Sequence, residues 1–220
     1  MVTNSFGRGF TRPGMAKPNI IQPNKPALVQ PSKPTGSPEE KFTFFWQGPL
    51  SQWHMCKFTV HHVEYNCTEQ WMMAEKARLF NDRDTESLIL KAKSPKEQKA
   101  LGRQVKGFKE DVWNQHDMDI VEKGNYAKFT QNMHLLKILL AGEGTTFVEA
   151  SPYDKIWGIG LAANDPRAMV RSQWKGQNKL GIVLTRLCDK LVLTHKDALA
   201  EWEERQARNR ELDEQLGLRP

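Results

Sequence analysis

The chain has 220 residues, 39% hydrophobic and 26% charged, which suits one globular domain of ordinary size with appended polar sequence. No uninterrupted apolar run approaches the roughly 18 residues of a membrane span, and the first residues lack the apolar stretch of a secretory signal, so an intracellular protein without a membrane partner is expected. The formal net charge of +6 is unevenly spread: Arg8, Arg12, Lys17, Lys25 and Lys33 fall in residues 1–38 with no acid among them, and the rest of the chain is close to neutral.

Residues 1–40 are proline-rich with little apolar periodicity, which predicts a disordered basic arm. Such an arm adds nonspecific affinity for phosphate backbones or simply keeps the protein solvated. Its "PNKP" and "PSKP" match PxxP ligands only at the level that composition produces by chance. From Phe42 the composition turns apolar. Short β-prone runs, "FTFFW", "KFTV" and "VEY", are punctuated by turn signals at "QGP" and "HH", and predict a small strand element. A helix is expected from about Cys67 to Asn81, and Ser94-Pro95 with Glu97 predicts a second helix start with a capping box.

Residues 117–142 read as one or two helices ended by Gly142. "TTFVEAS" is β-prone, residues 152–166 are turn-rich, and residues 178–193 form an amphipathic helix with Asn178 as its N-cap. Residues 194–220 are so charged that an exposed helix with few core contacts is expected. Mainly α, of the α+β kind, is therefore the expected fold class: a compact, single multihelical domain over residues 41–193 with a small β element.

Chemistry enters at "EYNCTEQWMMAEKARLF", residues 64–80. At 3.6 residues per turn, Glu69, Met72, Met73, Lys76 and Phe80 share one face, so two charges sit where an apolar stripe belongs. A capping box from Asn66 to Glu69, with Lys76 snorkelling to water, accounts for both charges without function. In "DKIWGIG", Asp154, Trp157, Gly158 and Gly160 set an acid, a stacking surface and bare backbone within seven residues, which is either a ligand loop or a tight loop around a packed tryptophan. "GIGLAA" matches a dinucleotide fingerprint in letters but lacks the preceding strand and following helix. The "GQNKLG" helix start at Asn178 is an N-cap, a phosphate site, or both. Trp113 in "DVWNQHD" is half-buried packing or a stacking surface. Cys56, Cys67 and Cys188 show no CxxC spacing and the six histidines are scattered, so neither a disulfide framework, nor a metal site, nor a cofactor is expected.

Taken in order, "EYNCTEQWMMAEKARLF", "DVWNQHD", "NYAKFTQNMHLLKILLAG", "FVEASPYDKIWGIGL" and "NKLGIVLTRL" resemble the NADAR domain, the YbiA-like family of N-glycosidases, across roughly residues 42–191. The matching positions are Glu69 with Trp71 and Lys76, Trp113, Lys128 with Phe129 and Asn132, Glu149 with Asp154, Trp157, Gly158 and Gly160, and Asn178 with Leu180 and Gly181. Gln70 stands where relatives often have histidine.

The resemblance implies hydrolysis of a ribose C1′–N bond. Glu69 and Asp154 are the implied catalytic carboxylates, placed to stabilise an oxocarbenium-like transition state and to handle water. Lys76 is expected to keep Glu69 ionised or to meet ribose oxygen or phosphate. Trp113 and Trp157 would flank the base and ribose, and Gly158, Gly160 and Asn178 would receive phosphate. The expected substrate is an ADP-ribosylated guanine nucleoside or nucleic acid, with ribosylamino-pyrimidine riboflavin intermediates as the alternative. A non-catalytic reader of ADP-ribosylated nucleic acid and an interaction protein built on the tails are readings of another class. No stable protein partner is implied.

Overall fold

The computed structural model describes residues 40–216, so the proline-rich arm and its PxxP matches lie outside the described residues. Strand β1 (Phe42–Phe45) is followed by a hairpin, β2 (Phe58–Val60) and β3 (Val63–Tyr65). His61 and His62 form its two-residue turn, both with positive φ (50° and 66°), as a turn that follows the twist of the flanking strands requires. Five helices come next: α1 (Thr68–Leu79), α2 (Arg83–Lys91), α3 (Pro95–Gly102), α4 (Glu110–Gln131) and α5 (Met133–Leu140). Strand β4 (Thr146–Glu149) then pairs in parallel with β1, from Phe42 opposite Thr146 to Phe45 opposite Glu149. Two short 3-10 turns lead into α6 (Lys179–Gln215). The fold is mainly α, of the α+β kind.

Helix α1 runs through the middle of the domain, packed by α2, α3 and α4. Its weak amphipathic pattern follows from that position, since Thr68 through Ala74 and Ala77 are all buried. Trp71 ties α1 to α4. Its indole N–H donates to the Ile120 carbonyl at 2.7 Å, and its ring lies where a side chain on Gly124 would have to go.

The capping box expected at Asn66 and Glu69 does not form. Cys67 occupies the N-cap without a side-chain bond, and the Glu69 amide donates to the Gln52 carbonyl at 3.0 Å. Gln70 reaches back instead, accepting from the Asn66 amide at 2.9 Å while its own amide group donates to carbonyls of residues 89, 90 and 92. Gln70, at the position often held by histidine, thus anchors the helix start, and Glu69 is left with no structural task there. At α3 the Ser94 half of the expected capping box is present, with Ser94 Oγ accepting from the Glu97 amide at 3.3 Å.

Residues 117–142 resolve into two helices broken at Asn132, whose side chain donates to the Lys128 and Lys57 carbonyls. Helix α6 is longer than the expected amphipathic segment. It continues without a break through the charged sequence to Gln215, buried at Leu180, Val183, Leu184, Leu187 and Leu191 and then largely exposed beyond Leu199. No helix among the described residues is long and apolar enough to cross a membrane.

Candidate active site

A cavity of about 510 Å³ opens where α1, α3 and the start of α4 meet the loops at residues 51–53 and 149–157. Its size suits a nucleotide-sized ligand. From α1 come Glu69, Met72, Met73 and Lys76, the four residues whose shared face looked anomalous in sequence. Phe80, one turn further on, packs against Phe108 instead. Trp113, Asp154 and Trp157 complete the set of predicted residues that the fold brings together.

Glu69 is 2% exposed, and its Oε1 is buried without a hydrogen-bond partner. Burial pushes its carboxyl up to about 7, with Asp154 adding to the rise and Lys99, the Trp53 indole and Arg103 opposing it. The cation expected to support Glu69 was Lys76, but α3 and the residue after it supply that charge. Lys76 lies over the Phe108 ring at 4.0 Å and the Trp113 ring at 5.8 Å, and burial followed by the Arg103 charge lowers its ammonium from the ordinary lysine range. It still lines the cavity, along with Lys99, Arg103 and Lys155.

Asp154 is fixed by its own loop. One carboxylate oxygen accepts from the Ile156 and Trp157 amides at 2.9 and 2.8 Å, and the other lies 3.8 Å from Lys99 Nζ. This short-range turn orients the acid and Trp157 together. On the opposite side, Gln52 is held by Asn125, which donates to its Oε1 at 2.8 Å, and the Ser51 carbonyl accepts from the fully buried Lys128 ammonium at 2.9 Å. These bonds present Gln52 and Trp53 to the cavity from a rigid loop.

Gly158, Gly160 and Asn178 do not line the cavity, so the phosphate-cradling task expected of them has no geometric counterpart. A Cβ on Gly158 would sit 2.8 Å from the Glu149 carbonyl, and Gly160 has φ of 67° while its amide donates to the Asp154 carbonyl. Both glycines let the loop fold tightly on itself. Asn178 is fully buried in the left-handed conformation that asparagine tolerates, and it makes no side-chain cap. Its Oδ1 accepts from the Glu149 amide at 2.9 Å and its Nδ2 donates to the Phe147 carbonyl at 3.0 Å, so it pairs with the edge of β4 in place of another strand. Lys179, beside it, is committed to a salt bridge with Asp117 of α4.

Sequence reasoning matched the third acid to the family motif but gave it no role. Glu149, the last residue of β4, lines the cavity with its Oε2 buried and unpartnered. Burial pushes its carboxyl up to about 8, Asp154 and Glu69 add to the rise, and Lys99 opposes it. Its place five residues before Asp154 in the recognised motif was the available signal. Lys99, Arg103, Trp53 and the exposed Tyr153 carried no signal, because they join the site through packing of separate elements. Among the described residues, no group of three or more His, Cys, Asp or Glu side chains is arranged to hold a metal ion.

The site is thus an acid-bearing cleft, walled by tryptophans and bordered by cations, in a mainly helical α+β domain. A family model described as the NADAR domain matches residues 44–192, and the chain belongs to that family. N-glycosidase R617 of Acanthamoeba polyphaga mimivirus is 42% identical over 143 residues, covering 63% of this chain and 84% of the viral protein. Protein irg-1 of Caenorhabditis elegans is 40% identical over 131 residues, covering 59% of this chain and 62% of the nematode protein. The chloroplastic riboflavin biosynthesis protein PYRR of Zea mays is 34% identical over 116 residues, 51% of this chain but 17% of the plant protein. The NMR structure of Escherichia coli YbiA shares the fold, with a TM-score of 0.59 at 23% identity over 70% of this chain and 87% of that one.

Proposed function

We propose that the protein is an N-glycosidase that hydrolyses a ribose C1′–N bond, with ADP-ribose on guanine in a nucleoside or nucleic acid as its substrate. The observation that carries this reading is the buried Glu69 carboxyl, whose Oε1 has no hydrogen-bond partner, lining a nucleotide-sized cavity beside Asp154. Breaking the C1′–N bond builds positive charge on the ribose, and carboxylates placed beside it stabilise that charge and deprotonate or orient the attacking water. Glu69 and Asp154 take these roles. Trp113 and Trp157 offer flat surfaces for the base, and Lys76, Lys99, Arg103 and Lys155 offer charge for phosphate. The name carried by the mimivirus relative supports the bond type.

Hydrolysis of a ribosylamino-pyrimidine of riboflavin synthesis to ribose 5-phosphate is the second reading, favoured by the similarity to the PYRR protein. A non-catalytic reader gains little from three acids in a pocket that must accept diphosphate, so it is the weaker reading. The deciding assay follows product release from ADP-ribosylated guanine oligonucleotides, single-stranded and duplex, with the pyrimidine as a second substrate. Glu69→Gln is expected to lower turnover by about 10²–10⁴-fold while binding persists. Binding without release by the wild type would leave the reader hypothesis, and release from the pyrimidine alone would move the protein to metabolite clearance.

A further inference from the structure

We infer that Glu149 is a further catalytic residue, the acid that gives its proton to the departing nitrogen as the C1′–N bond breaks. This rests on the N-glycosidase reading and assigns a step that Glu69 and Asp154 leave open. A ribosylated exocyclic amine is a poor leaving group as an anion, so its nitrogen must gain a proton during cleavage. The donor has to be neutral at working pH, reach the cavity, and be held on a stiff element.

Glu149 meets each condition through its surroundings. It ends β4, where its amide donates to Asn178 Oδ1 and its carbonyl accepts from the Ser151 and Ile159 amides, both at 2.9 Å. The next amide, that of Ala150, donates to the Phe45 carbonyl of β1 at 2.7 Å. With its backbone committed on both sides, the side chain projects from a fixed point. Its Oε2 is buried and accepts no hydrogen bond, an arrangement that destabilises an ionised carboxylate and gives no structural benefit.

The charged groups that act on Glu149 from the elements around it are Glu69 on α1, Asp154 in the following loop and Lys99 on α3. Two acids against one cation favour the neutral form. Burial raises both carboxyls, but Glu69 has more support for its charge, from Lys99, the Trp53 indole and Arg103, whereas Lys99 alone supports a charge on Glu149. Unequal support for the charge on neighbouring carboxyls is how one site obtains an acid and a base together.

The step balances without a co-reactant. The bonding pair of C1′–N goes to nitrogen as the Glu149 proton moves onto it, and the amine leaves neutral. Water then bonds to C1′ and sheds one proton into the carboxyl cluster, which restores the Glu149 acid and leaves a hydroxyl on C1′. One water is consumed.

The test compares wild type, Glu149→Gln and Glu149→Asp on the ADP-ribosylated guanine oligonucleotide and the ribosylamino-pyrimidine across acid to alkaline pH. In parallel, the Glu149 carboxyl of the wild type is titrated by carbon NMR. The wild-type kcat should fall on the alkaline side with a midpoint near the about 8 of Glu149. Glu149→Gln should lower kcat by about 10²–10⁴-fold and lose the alkaline limb, while Glu149→Asp recovers part of both. A kcat for Glu149→Gln close to wild type, or a persisting alkaline limb, would overturn the assignment while leaving the N-glycosidase reading intact. Should Glu149→Gln fail to fold, the NMR titration decides, and a midpoint in the ordinary glutamate range overturns the proposal. Absence of wild-type turnover on both substrates refutes the N-glycosidase reading itself, and the task of Glu149 falls with it.

Discussion

Glu69→Gln is expected to stabilise the fold at alkaline pH and to leave it unchanged at acid pH. The wild-type carboxyl titrates at about 7 in the folded protein against an ordinary 4.5, so between these values the folded state holds more protons than the unfolded one. Stability therefore declines as pH rises through that window, and the loss is complete above the folded value. A shift of one unit corresponds to about 1.4 kcal/mol, which sets an upper limit of roughly 3–4 kcal/mol for Glu69. Gln keeps the shape and removes the charge, but it adds amide donors that need partners, so the gain falls below that limit. For a domain of this size each kcal/mol moves the melting temperature by about 2–4 °C, which predicts a rise of several degrees. Thermal melts of both proteins on the two sides of the window measure it. A lower melting temperature for the variant at alkaline pH would refute the reasoning.

Lys99→Met removes the cation that opposes protonation of both Glu69 and Glu149, so the pH profile of kcat should move to higher pH without loss of fold, as steady-state rates would record. Gly124→Ala places a Cβ 2.2 Å from the Trp71 ring, and Trp71 is held by its bond to the Ile120 carbonyl. A loss of about 1–3 kcal/mol in urea unfolding is expected, and an unchanged midpoint would show that α1 and α4 can shift apart.

Much of the cleft was legible because α1 carries its own spacing. Glu69, Met72, Met73 and Lys76 repeat at helical intervals, so their common face follows from 3.6 residues per turn whatever surrounds it. Asp154 and Trp157 were legible for a similar reason, since the acid caps the amides of residues 156 and 157 within one turn. The strand elements and the stop near Gly142 follow from local propensity, whereas the break before α5 was left open between one helix and two. The cap at Asn66 was misread because Gln70, one residue beyond Glu69, competes for the same amide and also reaches α2. Spacing alone cannot rank those two side chains.

What the sequence by itself determined was therefore local: the strands and most of the helices, though not α2 or the unbroken length of α6, that a charged pair interrupts an apolar face, and which motifs mark the family. Tertiary structure decided the electrostatics. Glu69 and Lys99 lie 80 and 50 residues before Glu149 in the chain, yet both act on it, because β4 pairs with β1 and α3 packs on α1. It also decided that Gly158, Gly160 and Asn178 tie the loop to β4 and α6. Hydrogen-bond partners at that range are chosen by packing, and a carboxyl acquires its working proton affinity only from the charges and burial that packing brings to it.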